Sequence, residues 1–87
     1  MKIQVNTIHR LPNTNYLRAF ADIIIDDALM IKCLRVIQGK NGLFVAMPQE
    51  QAADKKWYDR VKCMTDEVRD QITQVVLDAY SAEVPND

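Results

Sequence analysis

The chain has 87 residues, of which 48% are apolar and 26% charged, and its formal net charge is −1. This composition is typical of one small globular domain, and it excludes both a disordered chain and two separate hydrophobic cores. The near-zero charge hides a segregation, because residues 30–62 hold seven basic and three acidic residues, whereas residues 63–87 hold one basic and six acidic residues. A basic middle and an acidic end weakly indicate a polyanionic partner.

The first half of the chain is predicted to form β-strands, because apolar and polar residues alternate along it. A first strand should end near Leu11-Pro12, before a turn cluster at 12–15. Two β-rich runs follow at 17–25 and 28–37. Only Asp26-Asp27 separates them, which is hairpin spacing.

Glycines mark the next turn, at 39–42, and a short strand is predicted from Leu43 to Met47, where Pro48 stops it. Residues 48–55 are polar and are expected to form a loop. Residues 57–61 are a candidate fifth strand.

The period changes near residue 65, where apolar residues begin to recur at helical spacing. They are Val68, Ile72, Val75, Val76, Ala79 and Tyr80. Thr65 is the expected N-cap, and residues 84–87 are expected to form a frayed tail. The prediction is a single α+β domain over 1–87. It has an antiparallel β-sheet of four to five strands, about 2–62, and one long C-terminal helix, about 65–83, packed on one face.

The strand register decides which residues the helix covers. If Ile25 lies opposite Ala28, one face of the sheet collects small and aliphatic side chains with Lys32 as its one charge, and we expect the helix there. These side chains belong to Leu17, Ala19, Ala21, Ile23, Ile25, Ala28, Met30, Leu34 and Val36.

The other face collects Phe20, Ile24, Leu29, Ile31 and Cys33, with Arg18, Asp22 and Arg35. This face is too apolar to remain in water, and a second copy of the chain is the simplest cover. The same register places Arg18 opposite Arg35, which requires an anion between them. An ion pair with Asp22 or with a carboxylate of a second subunit is favoured over a phosphate. A slip of one residue would remove both inferences.

Residues 55–62 carry the most informative local pattern. At strand spacing, Lys56, Tyr58, Arg60 and Lys62 share one face, and cations beside an aromatic ring suit phosphates and stacked bases. A solvated edge strand, with lysines that oppose sheet-to-sheet association, explains the same residues and is favoured on this pattern alone. The outer helix face is acidic and would repel nucleic acid.

Catalytic and metal-binding patterns are not found in the sequence. His9 has no neighbouring nucleophile or carboxylate partner, and Asp26-Asp27 reads as a turn. Cys33 and Cys63 are too far apart for a redox or zinc motif. We expect no enzyme activity, no cofactor, no metal and no small-molecule substrate. Without a signal-peptide pattern or an apolar run of membrane length, the cytoplasm is the expected location.

Several segments together resemble the stage V sporulation protein G (SpoVG) family of septation regulators. They are Arg18-Ala19, 23–27, 31–37, the block Gly39-Lys40-Asn41-Gly42-Leu43-Phe44-Val45-Ala46-Met47-Pro48, Tyr58-Asp59, and Arg69 with Ile72, Val75, Val76, Leu77 and Tyr80. The resemblance covers most of the chain. It implies a sheet with a C-terminal helix, dimerisation through the sheet, and a role in septation, sporulation or gene regulation, with DNA or RNA binding in several members.

Two departures from the family pattern affect this expectation. Gln49-Glu50-Gln51 stands where relatives often have a serine and basic residues, and Asp59-Arg60-Val61-Lys62-Cys63 stands where they usually have Asp-Ile-Ala-His-Pro. The family histidine is therefore missing, while Arg60 and Lys62 add charge nearby.

The leading interpretation is a homodimeric regulator that binds nucleic acid weakly. We assign that binding to Lys55, Lys56, Tyr58, Arg60 and Lys62, with Lys40 and Arg69. The dimer interface is assigned to Asn41, Gly42, Leu43, Phe44, Val45, Ala46 and Met47. The alternative is a protein-interaction module of cell division or septum formation that does not bind nucleic acid.

Overall fold

The structure, a computed structural model, describes residues 1–12 and 16–82. Within them a four-stranded antiparallel sheet is followed by a separate two-stranded hairpin and one helix, which confirms the predicted α+β class. The large sheet has the order β1-β2-β3-β4 and consists of β1 (Ile3–Arg10), β2 (Leu17–Ile25), β3 (Leu29–Gly39) and β4 (Gly42–Ala46). The hairpin pairs β5 (Gln49–Gln51) with β6 (Trp57–Asp59), and the helix is α1 (Asp66–Ser81).

The β2–β3 turn contains two adjacent residues with a left-handed backbone, Asp26 at φ 53° and Asp27 at φ 55°. Aspartate tolerates this conformation better than most residues. The Ala28 N–H donates to the Ile25 carbonyl at 3.0 Å, and β3 begins one residue later. The predicted opposition of Ile25 and Ala28 is therefore wrong, because Ile25 lies opposite Leu29.

A second irregularity interrupts the β2–β3 ladder between Ala21 and Ile23. There Cys33 adopts φ 65°, and its backbone N–H donates to Asp22 Oδ1 at 3.0 Å. Such a bulge shifts the alternation of side chains by one residue. The bulge restores the predicted helix-facing side of Leu34 and Val36, whereas Met30 and Ile31 lie between the turn and the bulge, where the shifted turn sets their sides. Ile31 packs against the core and Met30 is exposed, so the predicted faces of these two residues are wrong.

The core lies between the large sheet and α1. Predicted helix-facing residues Ala19, Ala21 and Ile23 of β2 are buried, with Leu34 and Val36 of β3. Ile3 and Ile8 of β1 and Ile72 and Val76 of α1 complete this layer, and Cys63 is buried beside it. Because alanine side chains are short, α1 can approach the middle of the sheet closely.

Both ends of α1 are capped. The Thr65 hydroxyl accepts a hydrogen bond from the Val68 N–H at 3.2 Å, which confirms the predicted N-cap. At the other end Arg10 Nη2 donates to the carbonyls of Tyr80 at 2.7 Å and Ala82 at 2.9 Å. A strand residue thus supplies the cation that the last turn of α1 does not contain.

The open face is the side of the large sheet away from α1, and it carries Phe20, Ile24, Met30, Ile37 and Phe44. Each of these side chains has a strand neighbour that is buried or packs against the core, so by alternation they point away from the helix. Met30 is 42% exposed and Phe44 is 47% exposed.

Arg35 belongs to the same side of the sheet as the open face. It lies opposite Phe20, so the predicted direct opposition of Arg18 and Arg35 is wrong. The Asp22 carboxylate, predicted as a partner for these arginines, instead accepts the Cys33 N–H.

Two predicted segments fall wholly or partly outside the described residues. The turn at 12–15 is described only at Pro12, and the tail at 84–87 is not described. Over the described ranges, no helix is long and apolar enough to cross a membrane. The same ranges contain no group of three His, Cys, Asp or Glu side chains placed to hold a metal ion.

Candidate nucleic-acid interface

The hairpin formed by β5 and β6 carries most of the residues predicted to bind nucleic acid. Lys55 lies in its turn with φ 68°, and its N–H donates to the Ala52 carbonyl at 2.9 Å. Asp54 Oδ1 accepts the Lys56 N–H at 2.9 Å, an arrangement in which aspartate stabilises a tight turn. The turn therefore places two exposed lysines, Lys55 and Lys56, at the tip of the hairpin.

Part of the hairpin was unexpected. Residues 49–51 were predicted to lie in a loop, which is wrong, because they form β5 and pair with β6. The predicted strand at 57–61 is shorter, ending at Asp59. Gln49-Glu50-Gln51 contains no apolar residue, so no alternation marked it as a strand.

One face of the hairpin carries Glu50, Tyr58 and Arg60. Glu50 lies opposite Tyr58, and Arg60 Nε forms an ion pair with Glu50 Oε2 at 3.0 Å. Both side chains of this pair are more than half exposed, so it contributes little stability and its partners can exchange readily. Carboxylates on this face reduce its positive charge.

Tyr58 is held by the hairpin turn. Its hydroxyl donates to Asp54 Oδ2 at 2.6 Å. This hydrogen bond, with a second one from the Lys56 backbone N–H, lowers the pKa of the Asp54 carboxyl. The same contact raises the pKa of Tyr58, because the Asp54 carboxylate accepts a hydrogen bond from the phenol and so stabilises its protonated form. The ring is oriented but 43% exposed, and Trp57 beside it is 62% exposed.

The opposite face of the hairpin carries the cross-strand pair Gln49 and Asp59. Gln49 Nε2 donates a hydrogen bond to Asp59 Oδ1 at 2.7 Å. This face borders a cleft of about 230 Å³ between β4, the hairpin and the start of α1. Three cationic side chains line it, Arg35, Lys62 and Arg69, together with the Asp59 carboxylate. We call it the basic cleft.

The predicted binding residues therefore fall into three groups. Lys55, Lys56, Tyr58 and Arg60 lie on the tip and one face of the hairpin, and Lys62 and Arg69 line the basic cleft. Lys40 lies in the β3–β4 turn, at the end of β4 away from the cleft.

Arg35 is a cleft residue that the sequence-based site omitted. It is far from Lys62 and Arg69 along the chain, and no local motif connects them. Only the pairing of β3 with β4, which places Arg35 opposite Ala46, brings it to the cleft.

The predicted dimer interface covers β4 and its flanks. β4 forms one edge of the large sheet. Leu43, Val45 and Met47 pack against the core, whereas Phe44 is exposed on the open face. A hypothetical Cβ on Gly39 would lie 2.9 Å from the Phe44 ring, so this ring rests directly on the glycine.

Comparison with known proteins gives one consistent result. A family model described as SpoVG matches residues 1–82. Similar proteins, each named as a proposed septation protein SpoVG, occur in several bacteria. The protein of Macrococcus caseolyticus is 36% identical over 92% of this chain and 70% of its own length. The Fusobacterium nucleatum protein is 41% identical over 76% of this chain and 71% of its own length. That of Agathobacter rectalis is 30% identical over 99% of both chains.

Proposed function

The chain belongs to the SpoVG family, and on that premise we propose that it is a dimeric regulator of the septation and sporulation type that binds DNA or RNA. The relatives' names refer to septation. One observation carries the nucleic-acid part, namely the exposed Trp57 and Tyr58 beside the lysines of the hairpin tip. Exposed rings offer stacking surfaces to bases, and lysines neutralise phosphates.

The charges of the hairpin support weak, salt-sensitive binding. Residues 49–62 hold four basic and three acidic side chains. Arg60 is paired with Glu50, whereas Lys55 and Lys56 form no ion pair with any residue that the structure describes. The tip therefore carries two charges that are available to a phosphate backbone. The acidic outer face of α1 directs such a ligand away from the helix.

The first test is fluorescence anisotropy with labelled single- and double-stranded DNA and RNA at low and moderate salt. We expect binding that weakens steeply with salt, because phosphate neutralisation releases counterions. A variant with Lys55, Lys56, Arg60 and Lys62 changed to alanine should lose it. Absence of binding by the wild-type chain at low salt would refute the proposal.

A matched pair of variants separates local contacts from overall charge. Lys55→Ala/Lys56→Ala and Lys2→Ala/Lys32→Ala both remove two exposed lysines, the first pair at the hairpin tip and the second away from it. Only the first should weaken binding substantially. Equal losses would mean that net charge, and not this surface, governs the affinity. Trp57→Ala should lower affinity for single strands more than for duplexes, because duplex bases are already stacked.

The apolar open face supports the dimer part of the proposal. Five apolar side chains lie there, and a contiguous exposed apolar surface commonly marks an interface. Phe44 belongs both to this face and to the edge strand β4. A second copy can pair its own strand with the backbone of β4 or cover the Phe44 ring.

The alternative function is a protein-interaction module of cell division. The exposed acidic side chains of α1 favour it, since they offer negative charge to a protein partner. They are Asp66, Glu67, Asp70 and Asp78. A protein partner captured equally well at low and moderate salt, by a chain that binds no nucleic acid, would support this alternative.

A further inference from the structure

We propose that the basic cleft is a phosphate-binding site, with Arg35 as its central ligand and Lys62 and Arg69 as further lining cations. Three cations and one carboxylate line a concavity of about 230 Å³. Ligand pockets for drug-sized molecules are commonly about 300–1,000 Å³, so this cleft suits a small anionic group and its immediate substituent.

Arg35 provides the directed hydrogen-bond donors. Its side chain is half-buried, and Nη2 lies 3.4 Å from both the Met47 carbonyl and Gln49 Oε1. Both acceptors are neutral, and both hydrogen bonds are long. Within the described ranges Arg35 forms no ion pair. The guanidinium group therefore has only weak neutral acceptors among the described residues, and its planar fork matches the geometry of phosphate oxygens.

Lys62 and Arg69 add charge to the lining of the cleft. Lys62 is exposed and forms no ion pair with a described residue. Arg69 Nη1 lies 3.5 Å from Asp66 Oδ1, but the Asp66 side chain is 90% exposed. A pair of this kind contributes little and can be exchanged for a phosphate. The Asp59 carboxylate opposes anion binding, yet it already accepts the Gln49 amide at 2.7 Å.

The remaining lining fits the substituent of a phosphate better than a base. Val45, Ala46, Met47 and Val61 provide apolar contacts, and none of the lining residues is aromatic. A sugar carrying the phosphate fits such a wall, whereas bases would stack on Trp57 or Tyr58 of the hairpin. The phosphate is that of a nucleic acid or of a free phosphorylated compound. That the phosphate belongs to a nucleic acid rests on the proposed function. That the cleft binds a phosphate does not depend on it.

The experiment is an amide NMR titration of the full chain at low salt with inorganic pyrophosphate, a 5′-phosphorylated trinucleotide and the same trinucleotide without that phosphate. Pyrophosphate should shift the amides of Met47, Gln49 and Cys63. Arg35→Gln and Lys62→Gln should each weaken pyrophosphate binding about tenfold, because each removes a charge-assisted contact. Lys32→Gln removes a cation outside the cleft and should change the affinity less than about twofold.

Since Arg35→Gln could disturb the fold near Met47, the exposed Lys62→Gln keeps the test independent of folding. Pyrophosphate shifts spread over the surface, or unchanged affinity in both cleft variants, would overturn the cleft proposal. If the wild-type chain binds pyrophosphate in the cleft but binds neither trinucleotide, the proposed nucleic-acid function alone is refuted. The phosphate bound by the cleft would then be that of a free phosphorylated compound. If the chain binds the trinucleotides but does not bind pyrophosphate in the cleft, the cleft proposal alone is refuted.

Discussion

Among single residues, Arg10 connects strand β1 to the C-terminal end of the helix. Its guanidinium lies 5.5 Å from the Tyr80 ring centroid and donates to the Tyr80 and Ala82 carbonyls at the end of α1. A cation at a helix C-terminus also interacts favourably with the helix dipole. One side chain therefore fixes the position of the last helical turn over the edge of β1.

Replacing this arginine tests that role. Arg10→Ala should lower the free energy of unfolding by about 1–2 kcal/mol, since charge-assisted hydrogen bonds and the dipole interaction are both lost. Urea denaturation followed by circular dichroism measures the change. Arg10→Lys keeps the charge but not the planar guanidinium group. Its free energy of unfolding should lie between those of the wild type and Arg10→Ala. An Arg10→Ala variant as stable as the wild type would show that the contact contributes nothing.

The Tyr58–Asp54 hydrogen bond predicts a specific titration behaviour. Asp54→Asn should return the pKa of Tyr58 toward its ordinary value of 10.0, because the acceptor that raises it is lost. Glu50→Gln, which removes a carboxylate from the same hairpin but not the acceptor, should leave the pKa of Tyr58 raised. NMR of ¹³C-labelled tyrosine follows the titration. Equal pKa values of Tyr58 in wild type and Asp54→Asn would contradict the assignment.

The same contact has a defined pH window. Because the folded pKa of Asp54 is lowered, its stabilisation is present above the ordinary value of 3.8 and is lost as the pH falls through the folded pKa. Because the folded pKa of Tyr58 is raised, its contribution is present below 10.0 and is lost as the pH rises through the folded pKa. The hairpin turn is thus favoured between these limits.

Among the secondary-structure elements, β3 contains a bulge at Cys33. Cys33 has φ 65°, which costs an L-residue other than glycine about 1 kcal/mol or more. Cys33→Gly should therefore raise the free energy of unfolding by about 1 kcal/mol, and Cys33→Val should lower it, since β-branched residues avoid this conformation. Urea denaturation of the two variants measures both effects. The opposite order of stabilities would show that the bulge is not strained.

Elements with a strong local pattern could be predicted from the sequence, and irregular ones could not. β2 has the predicted bounds, Leu17–Ile25, because turn residues precede and follow an apolar run. The capped, periodic helix α1 was also predicted. The predicted β2–β3 register was wrong because β3 begins one residue later after the turn, and because a bulge, where the Cys33 N–H donates a hydrogen bond to the Asp22 carboxylate, shifts the pairing again. No periodic pattern encodes such a bond.

Across the whole molecule, the fold converts the segregated charge of the chain into separate surfaces. The acidic residues of α1 are exposed, and the basic residues from 55 to 69 divide between the hairpin and the basic cleft. The basic pattern of residues 55–62 could be identified from the sequence because its residues are contiguous, although the hairpin that carries it was not predicted. The cleft could not, because β-pairing brings Arg35 there from a different part of the chain.

The open face yields a prediction about the assembly. Phe44 is 47% exposed on this face and Met64 is 85% exposed in the segment before α1, so the two residues form a matched pair of exposed apolar side chains. If two copies cover the open face, Phe44→Glu places a charge in the interface and should produce monomers, because a buried unpaired charge is costly. Met64→Glu should leave the dimer intact. Sedimentation equilibrium over a range of concentrations measures the masses. A wild-type chain that keeps the mass of a single copy throughout, or two variants that dissociate alike, would contradict a dimer formed through this face.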